Sequence, residues 1–573
     1  MNSKLPDRWA LPPTWLRFLV IVVLLLGVFF RFVNLERKVY WFDETFTSLR
    51  ISGYTMSEAV EEVCNGREIG VEDLQKYQRP APGKTLTDTI NSLAIEDPQH
   101  PPLYYVMARF WVQWFGSSVA VTRSLSAFIS LLTFPCIYWL CLELFNSSLT
   151  GWVAIALLAV SSFHVLYAQE AREYCLWTVT ILLSSATLLR AMRLKTKFSW
   201  AMYAVSVVLG LYTFAFSGLV TIAHGIYVVI TERFRLTKTV IAYLLASLVG
   251  FLAFTPWVVV TITHLGKIQE TTGWTASEKT TRLSLIKNWF INLSYFFVDF
   301  GYDLGRYDAE PKLKLIAKCL IPFILILVGY SIYFLCRNTP KQVWLFVLTL
   351  IGVTALPLVI PDLIFGGVRS LIPRYLIPFY LGIQLAVAYL LATRITADVN
   401  IWRCQLWQAV AVALLSVEII SCAISYQAET WWLKYQNIYT PQVVAIVNQA
   451  TQPLVISSCK GTWSLLGDEL SLSYLLAPKV RFQLVNESNV PQISNNFNDV
   501  FFYNPSHNPF IQKVQYQLEN EQKFKIEKDV YPKNLGLWKL AKIVRNYFKK
   551  VSVIVLSDIG FSALRINDES LAV

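Results

Sequence analysis

Long apolar runs recur along most of this 573-residue chain, and they constrain its fold more than any other feature. A bilayer core about 30 Å thick needs roughly 20 mostly apolar residues for each helical span. The sequence contains eleven runs that meet or approach this length. The predicted spans are residues 16–33, 118–141, 150–167, 174–191, 199–215, 217–231, 240–259, 315–335, 343–360, 376–393 and 407–426.

The composition agrees with a membrane protein. Apolar residues make up 55% of the chain and charged residues only 15%, whereas soluble domains have roughly 45–50% and about 25%. This excludes an ordinary soluble enzyme, and an aromatic content of 14% excludes a disordered chain. The nine cysteines contain no C-x-x-C pair, so we expect neither a disulfide framework nor a zinc site.

The basic residues predict the orientation in the membrane, because lysine and arginine accumulate in short cytoplasmic loops. With a cytoplasmic N-terminus, most loop cations lie inside; they are Arg190, Arg193, Lys195, Lys197, Arg233, Arg235, Lys238, Arg337, Lys341, Arg394 and Arg403. The net charge of +12 then reflects membrane topology, and we expect no nucleic-acid partner. An odd number of spans places four segments outside: residues 34–117, 260–314, 361–375 and 427–573.

The sequence therefore predicts a polytopic α-helical membrane protein with two parts. Residues 1–426 form a transmembrane domain, with interfacial helices in the 34–117 loop and a second long outer loop at 260–314. Residues 427–573 form an extracytoplasmic α/β domain, with strands predicted at 454–456, 480–485, 499–503 and 551–555. The segment 537–550 has an amphipathic basic pattern, which fits either a helix on an anionic membrane or a packed helix of the domain.

The first outer loop opens with two adjacent carboxylates, Asp43 and Glu44, about ten residues after the membrane exit. Adjacent acids repel each other, so they need cations, a metal or hydrogen bonds nearby. An acidic first turn of an ordinary helix would explain them equally simply. The loop ends with Glu96, Asp97 and His100 before a proline-started aromatic helix, in which His100 could act only as a cap.

Two further outer segments carry arginines. Glu170 and Arg172 lie in a tight turn between spans, and Arg369 and Arg374 lie at the mouth of the tenth span. An ionisable group at membrane depth costs about 2.5–3.5 kcal/mol on insertion scales, so such groups are treated as functional by default. A guanidinium can bind a phosphate through two parallel hydrogen bonds. For Arg369, snorkelling to lipid headgroups is the alternative.

A carboxylate beside guanidinium groups at a lipid–water boundary suits group transfer from a lipid phosphate. One carboxylate suffices as the base for an attacking hydroxyl, and arginines can stabilise the charge that grows on the leaving phosphate. The rival interpretations are a transporter or flippase, a non-catalytic scaffold, and a polysaccharide polymerase or ligase that uses a lipid-diphosphate glycan. Transporters place their ionisable residues near the bilayer midplane, whereas here these residues gather at the outer boundary.

Four short motifs in this order resemble bacterial members of glycosyltransferase family 39, which has the C-type glycosyltransferase fold and includes protein O-mannosyltransferases and aminoarabinose transferases. The motifs are residues 42–44, 100–105, 167–172 and 373–376. The resemblance implies inverting transfer of a sugar from a polyprenyl phosphate to an acceptor hydroxyl on the outer face. The acceptor class, whether protein, lipid or polysaccharide, stays open. The implied location is the inner, plasma membrane of the cell envelope.

The resemblance also implies roles for individual residues. Asp43 is the catalytic base, and Glu44 positions it or helps to bind the lipid phosphate. Arg172 and Arg374, with Arg369, bind the donor phosphate. Five further residues are expected to contact the substrate or acceptor: Glu96, Asp97, His100, Tyr104 and Glu170. Some relatives use a divalent metal and others do not, and Asp97 with His100 could hold one here.

Overall fold

The structure is a computed structural model that describes residues 14–301, 311–396, 401–459, 464–485, 490, 492–504 and 511–543. Its first half is helical apart from one short strand, β1 (Asn65–Gly70). The helices of this half are α1 (Thr14–Phe32), α2 (Phe42–Ser52), α3 (Met56–Val63), α4 (Val71–Gln75), α5 (Leu86–Glu96), α6 (Leu103–Phe115), α7 (Val119–Leu131), α8 (Thr133–Phe145), α9 (Ser148–Val160), α10 (Ser162–Ala168), α11 (Tyr174–Leu194), α12 (Lys197–Thr213), α13 (Ser217–Thr231) and α14 (Lys238–Thr263).

The second half adds further long helices and then a sheet. The helices are α15 (Leu265–Thr272), α16 (Trp274–Ser277), α17 (Arg282–Tyr295), α18 (Pro311–Asn338), α19 (Lys341–Phe365), α20 (Ile377–Arg394), α21 (Ile401–Ser425), α22 (Thr440–Gln449), α23 (Ser464–Ser473) and α24 (Ile511–Tyr516). The strands are β2 (Pro453–Ser458), β3 (Arg481–Val485), β4 (Asp499–Tyr503), β5 (Phe524–Glu527) and β6 (Leu537–Lys542).

Within the described ranges, eight helical segments are long and apolar enough to cross a membrane, and the bent pair α9–α10 makes a ninth. The predicted class, a polytopic helical membrane protein with a C-terminal α/β domain, is confirmed. The other two predicted spans, residues 199–215 and 217–231, form helices of the predicted length that are short for a membrane crossing, because the chain turns at residues 214–216. They are α12 with 17 residues and α13 with 15, or about 25 and 22 Å at 1.5 Å per residue.

A buried arginine stabilises the 60° bend between α9 and α10. Arg31 of α1 is fully buried and donates to the carbonyl oxygens of Ala159 and Leu158, the latter at 3.0 Å. These carbonyls lie at the end of α9, where helical hydrogen bonding stops. Gly27 allows the close approach, since a Cβ there would lie 2.5 Å from the Ala159 carbonyl oxygen. The bend directs α10 and the turn that follows it toward the loops.

The C-terminal domain contains a six-stranded sheet in the order β1-β3-β2-β4-β6-β5. Strand β2 runs parallel to both β3 and β4, and the other pairings are antiparallel. The edge strand β1 comes from the first loop and pairs with β3. A disulfide between Cys64 and Cys459 joins the same two regions. The expectation that the chain has no disulfide framework is therefore wrong for these two cysteines. They are 395 residues apart, so no short spacing motif could reveal that they pair.

Three of the four predicted strands are confirmed as β2, β3 and β4, and the fourth, residues 551–555, lies outside the described residues. The helix predicted over 537–550 is wrong for 537–542, which form β6; residues 544–550 lie outside the description. Leu537 and Leu540 are buried in β6, and their i, i+3 spacing also suits a helix. This segment forms a strand because it pairs with the edge of β4, where Val500 lies opposite Leu540.

The first loop packs against the sheet domain through its own apolar core. Phe46 and Leu49 of α2 share this core with Val455 of β2 and Leu470 of α23. Gly467 of α23 lies against the Phe42 ring, and a Cβ there would come within 2.5 Å of it. Helix α2, which carries Asp43 and Glu44, is thereby held between the membrane helices and the sheet domain.

Candidate active site

The four segments predicted to lie outside meet at one end of the helical bundle, which we call the domain side because it carries the 34–117 loop and the sheet. The Val39 N–H donates to the Glu429 carbonyl oxygen at 2.8 Å. Trp431 donates through Nε1 to Asp299 Oδ2 at 2.8 Å. The Val368 N–H donates to the Thr275 carbonyl oxygen at 2.8 Å. All four segments therefore contribute to one region.

Asp43 lies in the first turn of α2, where the helix dipole favours a carboxylate. The N–H of Phe42 at this helix start is capped by Asn437 Oδ1 at 2.8 Å. Asp43 Oδ2 lies 3.3 Å from Arg374 Nη1, and each of the two side chains is 16% exposed. Both side chains are thus partly exposed, although Asp43 Oδ2 and Arg374 Nε are themselves buried, and neither of these two atoms has a hydrogen-bond partner in the described residues.

Arg172 lies on the other side of Asp43. Its Nη1 donates to the Asp43 carbonyl oxygen at 3.3 Å and to Thr47 Oγ1 at 3.2 Å. Its Nη2 lies 3.2 Å from His100 Nε2, which must accept because a guanidinium only donates. Glu173 Oε1 lies 2.8 Å from His100 Nδ1, and Glu173 Oε2 lies 3.5 Å from Arg172 Nε. The structure therefore brings together Asp43, Arg172, Arg374 and His100.

Glu173 is fully buried beneath Arg172 and His100. Burial alone would raise the pKa of its carboxyl, but the charge of Arg172 and the hydrogen bond with His100 lower that pKa to about 2. A carboxylate ionised in this position fixes the orientation of both side chains. This arrangement corresponds to the orienting group behind many catalytic side chains.

Glu44 points away from Asp43 into a buried network and is not exposed. Its Oε1 accepts from Arg123 Nε at 2.7 Å and from the Ala171 N–H at 2.9 Å. Its Oε2 accepts from Arg123 Nη2 at 2.6 Å and from Lys434 Nζ at 2.8 Å. Burial would raise the pKa of Glu44, but Arg123 and Lys434 lower it to about 2. Glu44 therefore joins a membrane helix, the 169–173 turn and the C-terminal region.

Lys434 also lies 3.4 Å from Glu170, and both side chains are 1% exposed. Burial raises the pKa of Glu170 to about 7, helped by the charges of Glu44 and Asp43 and opposed by Lys434 and Arg374. Burial lowers the pKa of Lys434 despite its two acidic neighbours. We call these four buried residues, Glu44, Arg123, Glu170 and Lys434, the buried clamp.

Glu96 and Asp97 both form ion pairs with Arg50 and do not form a metal site with Asp43. Arg50 Nη1 lies 2.6 Å from Glu96 Oε2, and Arg50 Nε donates to Asp97 Oδ2 at 2.7 Å. Glu96 also accepts from the N–H of Met56 at 2.6 Å. In the described part of the chain, no three His, Cys, Asp or Glu side chains are grouped closely enough to hold a metal ion.

The side chains of Tyr104 and Arg369 form hydrogen bonds to other residues of the protein. Tyr104 is buried, and its hydroxyl lies 2.8 Å from Ser126 Oγ, which donates to the Arg172 carbonyl oxygen at 3.2 Å. Arg369 donates through Nη1 to Asp362 Oδ1 at 2.7 Å. Tyr104 thus supports the turn that carries Arg172, while Arg369 fixes its own loop.

Sequence reasoning did not single out four residues that shape this site: Arg123, Glu173, Lys434 and Asn437. Glu173 carried a usable signal, because it adds a second acid to the short turn with Glu170 and Arg172. Arg123 is an arginine inside an otherwise apolar span, which also marks a functional or structural position. Lys434 and Asn437 lie in a polar segment after α21, and nothing in their spacing indicates contact with α2.

The grouped residues can carry out acid–base and phosphate chemistry. Asp43 can accept a proton, and the guanidinium groups of Arg172 and Arg374 can stabilise a phosphate. The ring of Tyr174 lies beside both arginines, with each guanidinium carbon 5.8 Å from its centroid. This aromatic ring limits how far either cation can move away from Asp43.

Several known proteins are similar to this chain. Residues 99–260 match the family model described as dolichyl-phosphate-mannose-protein mannosyltransferase. No curated protein matches the sequence. Similar solved structures include ArnT from Cupriavidus metallidurans bound to undecaprenyl phosphate, with 10% identity, 92% of this chain and 98% of that chain covered, and a TM-score of 0.48.

A second similar structure is the oligosaccharyltransferase AglB from Archaeoglobus fulgidus in complex with an inhibitory peptide and a dolichol-phosphate. Its identity is 11%, the coverage is 92% of this chain and 74% of that chain, and the TM-score is 0.47. The family match includes His100, Glu170 and Arg172 but neither Asp43 nor Arg374. Over residues 99–260 the chain carries the sequence pattern of the dolichyl-phosphate-mannose-protein mannosyltransferases, and the resemblance to this membrane glycosyltransferase family that the sequence predicts is confirmed.

Proposed function

We propose that the chain is an integral-membrane glycosyltransferase that moves a sugar from a polyprenyl-phosphate donor to an acceptor hydroxyl, with inversion and with Asp43 as the base. One observation carries the proposal: the Asp43 carboxylate lies 3.3 Å from the Arg374 guanidinium in a partly exposed position. A base beside a phosphate-binding cation is the combination that this transfer needs. The family match over residues 99–260 supports the reaction class.

In the proposed reaction, Asp43 takes the proton of the acceptor hydroxyl while that oxygen attacks the anomeric carbon. The bond between the anomeric carbon and the phosphate oxygen breaks, and polyprenyl phosphate leaves from the opposite face of the sugar. The new bond therefore has inverted configuration. Arg374 and Arg172 stabilise the charge that returns to the phosphate, so that no general acid is needed. His100 and Glu173 hold Arg172 in place.

We also propose that the domain side faces away from the cytoplasm, which is the orientation that the basic loops favour. The Cys64–Cys459 disulfide supports this, because disulfides form and persist in oxidising compartments. A test is to introduce a cysteine at Ile95, which is 53% exposed on the first loop. A membrane-impermeant thiol reagent should label Ile95→Cys in intact cells, and labelling only after lysis would reject the orientation.

The test of the reaction gives the purified full-length protein a panel of polyprenyl-phosphate monosaccharides together with hydroxyl-bearing protein, lipid and polysaccharide acceptors, and it measures release of polyprenyl phosphate. Asp43→Asn should reduce release by about 10²–10⁴-fold, the range for loss of a general base. The exposed Glu61→Gln in the same loop is the charge-matched control and should behave as wild type. Normal release by Asp43→Asn would reject the base role. Release only from diphosphate-linked glycans would reject the monosaccharide donor.

A further inference from the structure

Helices α12 and α14 enclose a groove of about 780 Å³ on the surface of the bundle. Its walls are mostly apolar; Trp200, Ala201 and Ala204 line it from α12, and Ala242 and Val249 line it from α14. Three lysines line one end, namely Lys195, Lys197 and Lys238. The groove thus combines an apolar channel with a cationic mouth.

The cationic mouth lies at the end of the bundle opposite the candidate active site. The far end of α12 leads to Phe214, whose ring centroid lies 6.5 Å from that of His100. Trp257, near the far end of α14, donates to Pro98 on the domain side. Lys197 begins α12, a helix of 17 residues, so it lies about 25 Å along the axis from the Phe214 end. A ligand at the lysines is therefore separate from the proposed donor site.

The groove narrows away from the lysines. At Gly250 the two helices pack so closely that a Cβ would lie 2.6 Å from Val207 Cγ1. From Lys238 to Val249 the wall of α14 rises eleven residues, or about 16 Å. This is roughly half of a hydrocarbon core about 30 Å thick. The groove therefore has the depth of one leaflet and is closed at the level where a lipid tail ends.

The three lysines are exposed, and in the described ranges none of them forms an ion pair. In contrast, Arg193 at the same end is bound by Glu143, with Nη2 and Oε1 2.7 Å apart. Glu232 is the acid that lies in the loop before α14, and one carboxylate does not neutralise three ammonium groups. The mouth therefore carries excess positive charge next to the membrane surface, where it attracts anionic headgroups.

We propose that this groove binds a bilayer phospholipid with an anionic headgroup, with one acyl chain between α12 and α14 and the phosphate at Lys195, Lys197 and Lys238. Charge complementarity favours an anionic over a zwitterionic headgroup, and the alanine-lined walls accept a chain without polar partners. The depth of one leaflet favours a bilayer lipid over free phosphate, which would leave the apolar walls uncovered.

The experiment reconstitutes the full-length protein in nanodiscs that contain equal amounts of phosphatidylglycerol and phosphatidylcholine with the same acyl chains. Native mass spectrometry then counts the lipids that each protein retains. Wild type should retain phosphatidylglycerol in several-fold excess. Lys197→Gln/Lys238→Gln should lose this excess, whereas Arg337→Gln/Lys341→Gln should keep it. This control removes two positive charges from the adjoining ends of α18 and α19.

A groove-filling variant, Ala201→Phe/Ala242→Phe, tests the channel without altering charge and should also lose the retained lipid. Unchanged elution and thermal unfolding would show that each variant is folded. If the groove-filling variant does not fold, the comparison of the two charge variants tests the proposal by itself. Equal retention of the two lipids by wild type would overturn the proposal. So would an equal loss in both charge variants, or displacement of phosphatidylglycerol by added undecaprenyl phosphate.

Discussion

Asp43 and Glu44 are adjacent in the chain but lie in two different regions of the site. Asp43 is partly exposed and faces one guanidinium at 3.3 Å, whereas Glu44 is fully buried and accepts from Arg123, Lys434 and the Ala171 N–H. The exposed region, with Arg172, Arg374 and His100, has groups that a substrate can reach. The buried clamp has all its charges paired internally. The difference separates residues suited to chemistry from residues that hold the site together.

The largest expected effect falls on the clamp. Glu44→Gln leaves Arg123 and Lys434 buried without their shared carboxylate, and breaking a buried ion pair costs about 3–5 kcal/mol. We expect a clear fall in the thermal unfolding temperature of the purified protein. Asp43→Asn is the matched control, since it alters the neighbouring acid at a partly exposed position, and its unfolding temperature should stay close to wild type. Similar unfolding temperatures for the two variants would remove the distinction between the regions.

The disulfide tests how strongly the clamp depends on the sheet domain, which supplies Lys434. Replacing Cys64 and Cys459 with serine should destabilise the protein by about 2–4 kcal/mol, the usual range for a disulfide. Turnover should be largely retained at low temperature, because no disulfide atom touches Asp43, Arg172 or Arg374 among the contacts of the described chain. Cys136→Ser, at a free cysteine, is the control. A loss of turnover as large as that of Asp43→Asn would show that the two regions are not separate.

The exposed region can be divided further with arginine variants. Arg374→Ala should weaken use of the polyprenyl-phosphate donor more than use of the acceptor, because a hydrogen bond to a charged group contributes about 1.5–3 kcal/mol. The measurement is kcat/KM for each substrate in turn. Arg369→Ala is the matched control, since Arg369 is bound by Asp362 at 2.7 Å. Equal losses for donor and acceptor would argue against phosphate binding at Arg374.

The sequence predicted most of the fold and the exposed region for a physical reason. Apolar runs report the membrane directly, and ionisable residues at membrane boundaries are costly enough to be recognisable. Asp43, His100, Arg172 and Arg374 are all residues of this kind. Their meeting depends on loops that share one side of the bundle, which the alternation of spans already implies.

The clamp could not be predicted in the same way. Lys434 lies 390 residues from Glu44, and a lysine in a polar segment is usually exposed. Glu96 and Asp97 were predicted on the substrate side, and their ion pairs with Arg50 are a contact that the sequence does not reveal. Strand β6 was missed because pairing with β4 overrides its local pattern. Each case depends on a contact between distant segments.

The remaining expected effect is a pH dependence within the clamp. Burial raises the pKa of Glu170 from 4.5 to about 7, so between these pH values the folded protein keeps a proton that the unfolded chain has lost. The free energy of unfolding therefore falls as pH rises through this window. Glu170→Gln cannot titrate, so the stability of wild type relative to Glu170→Gln should decrease from pH 4.5 to 7. Asp299 and Asp468 also have raised pKa values, but both proteins contain them and the difference cancels their contribution. A constant difference across this window would mean that Lys434 keeps Glu170 ionised, and that the clamp holds two carboxylates instead of one.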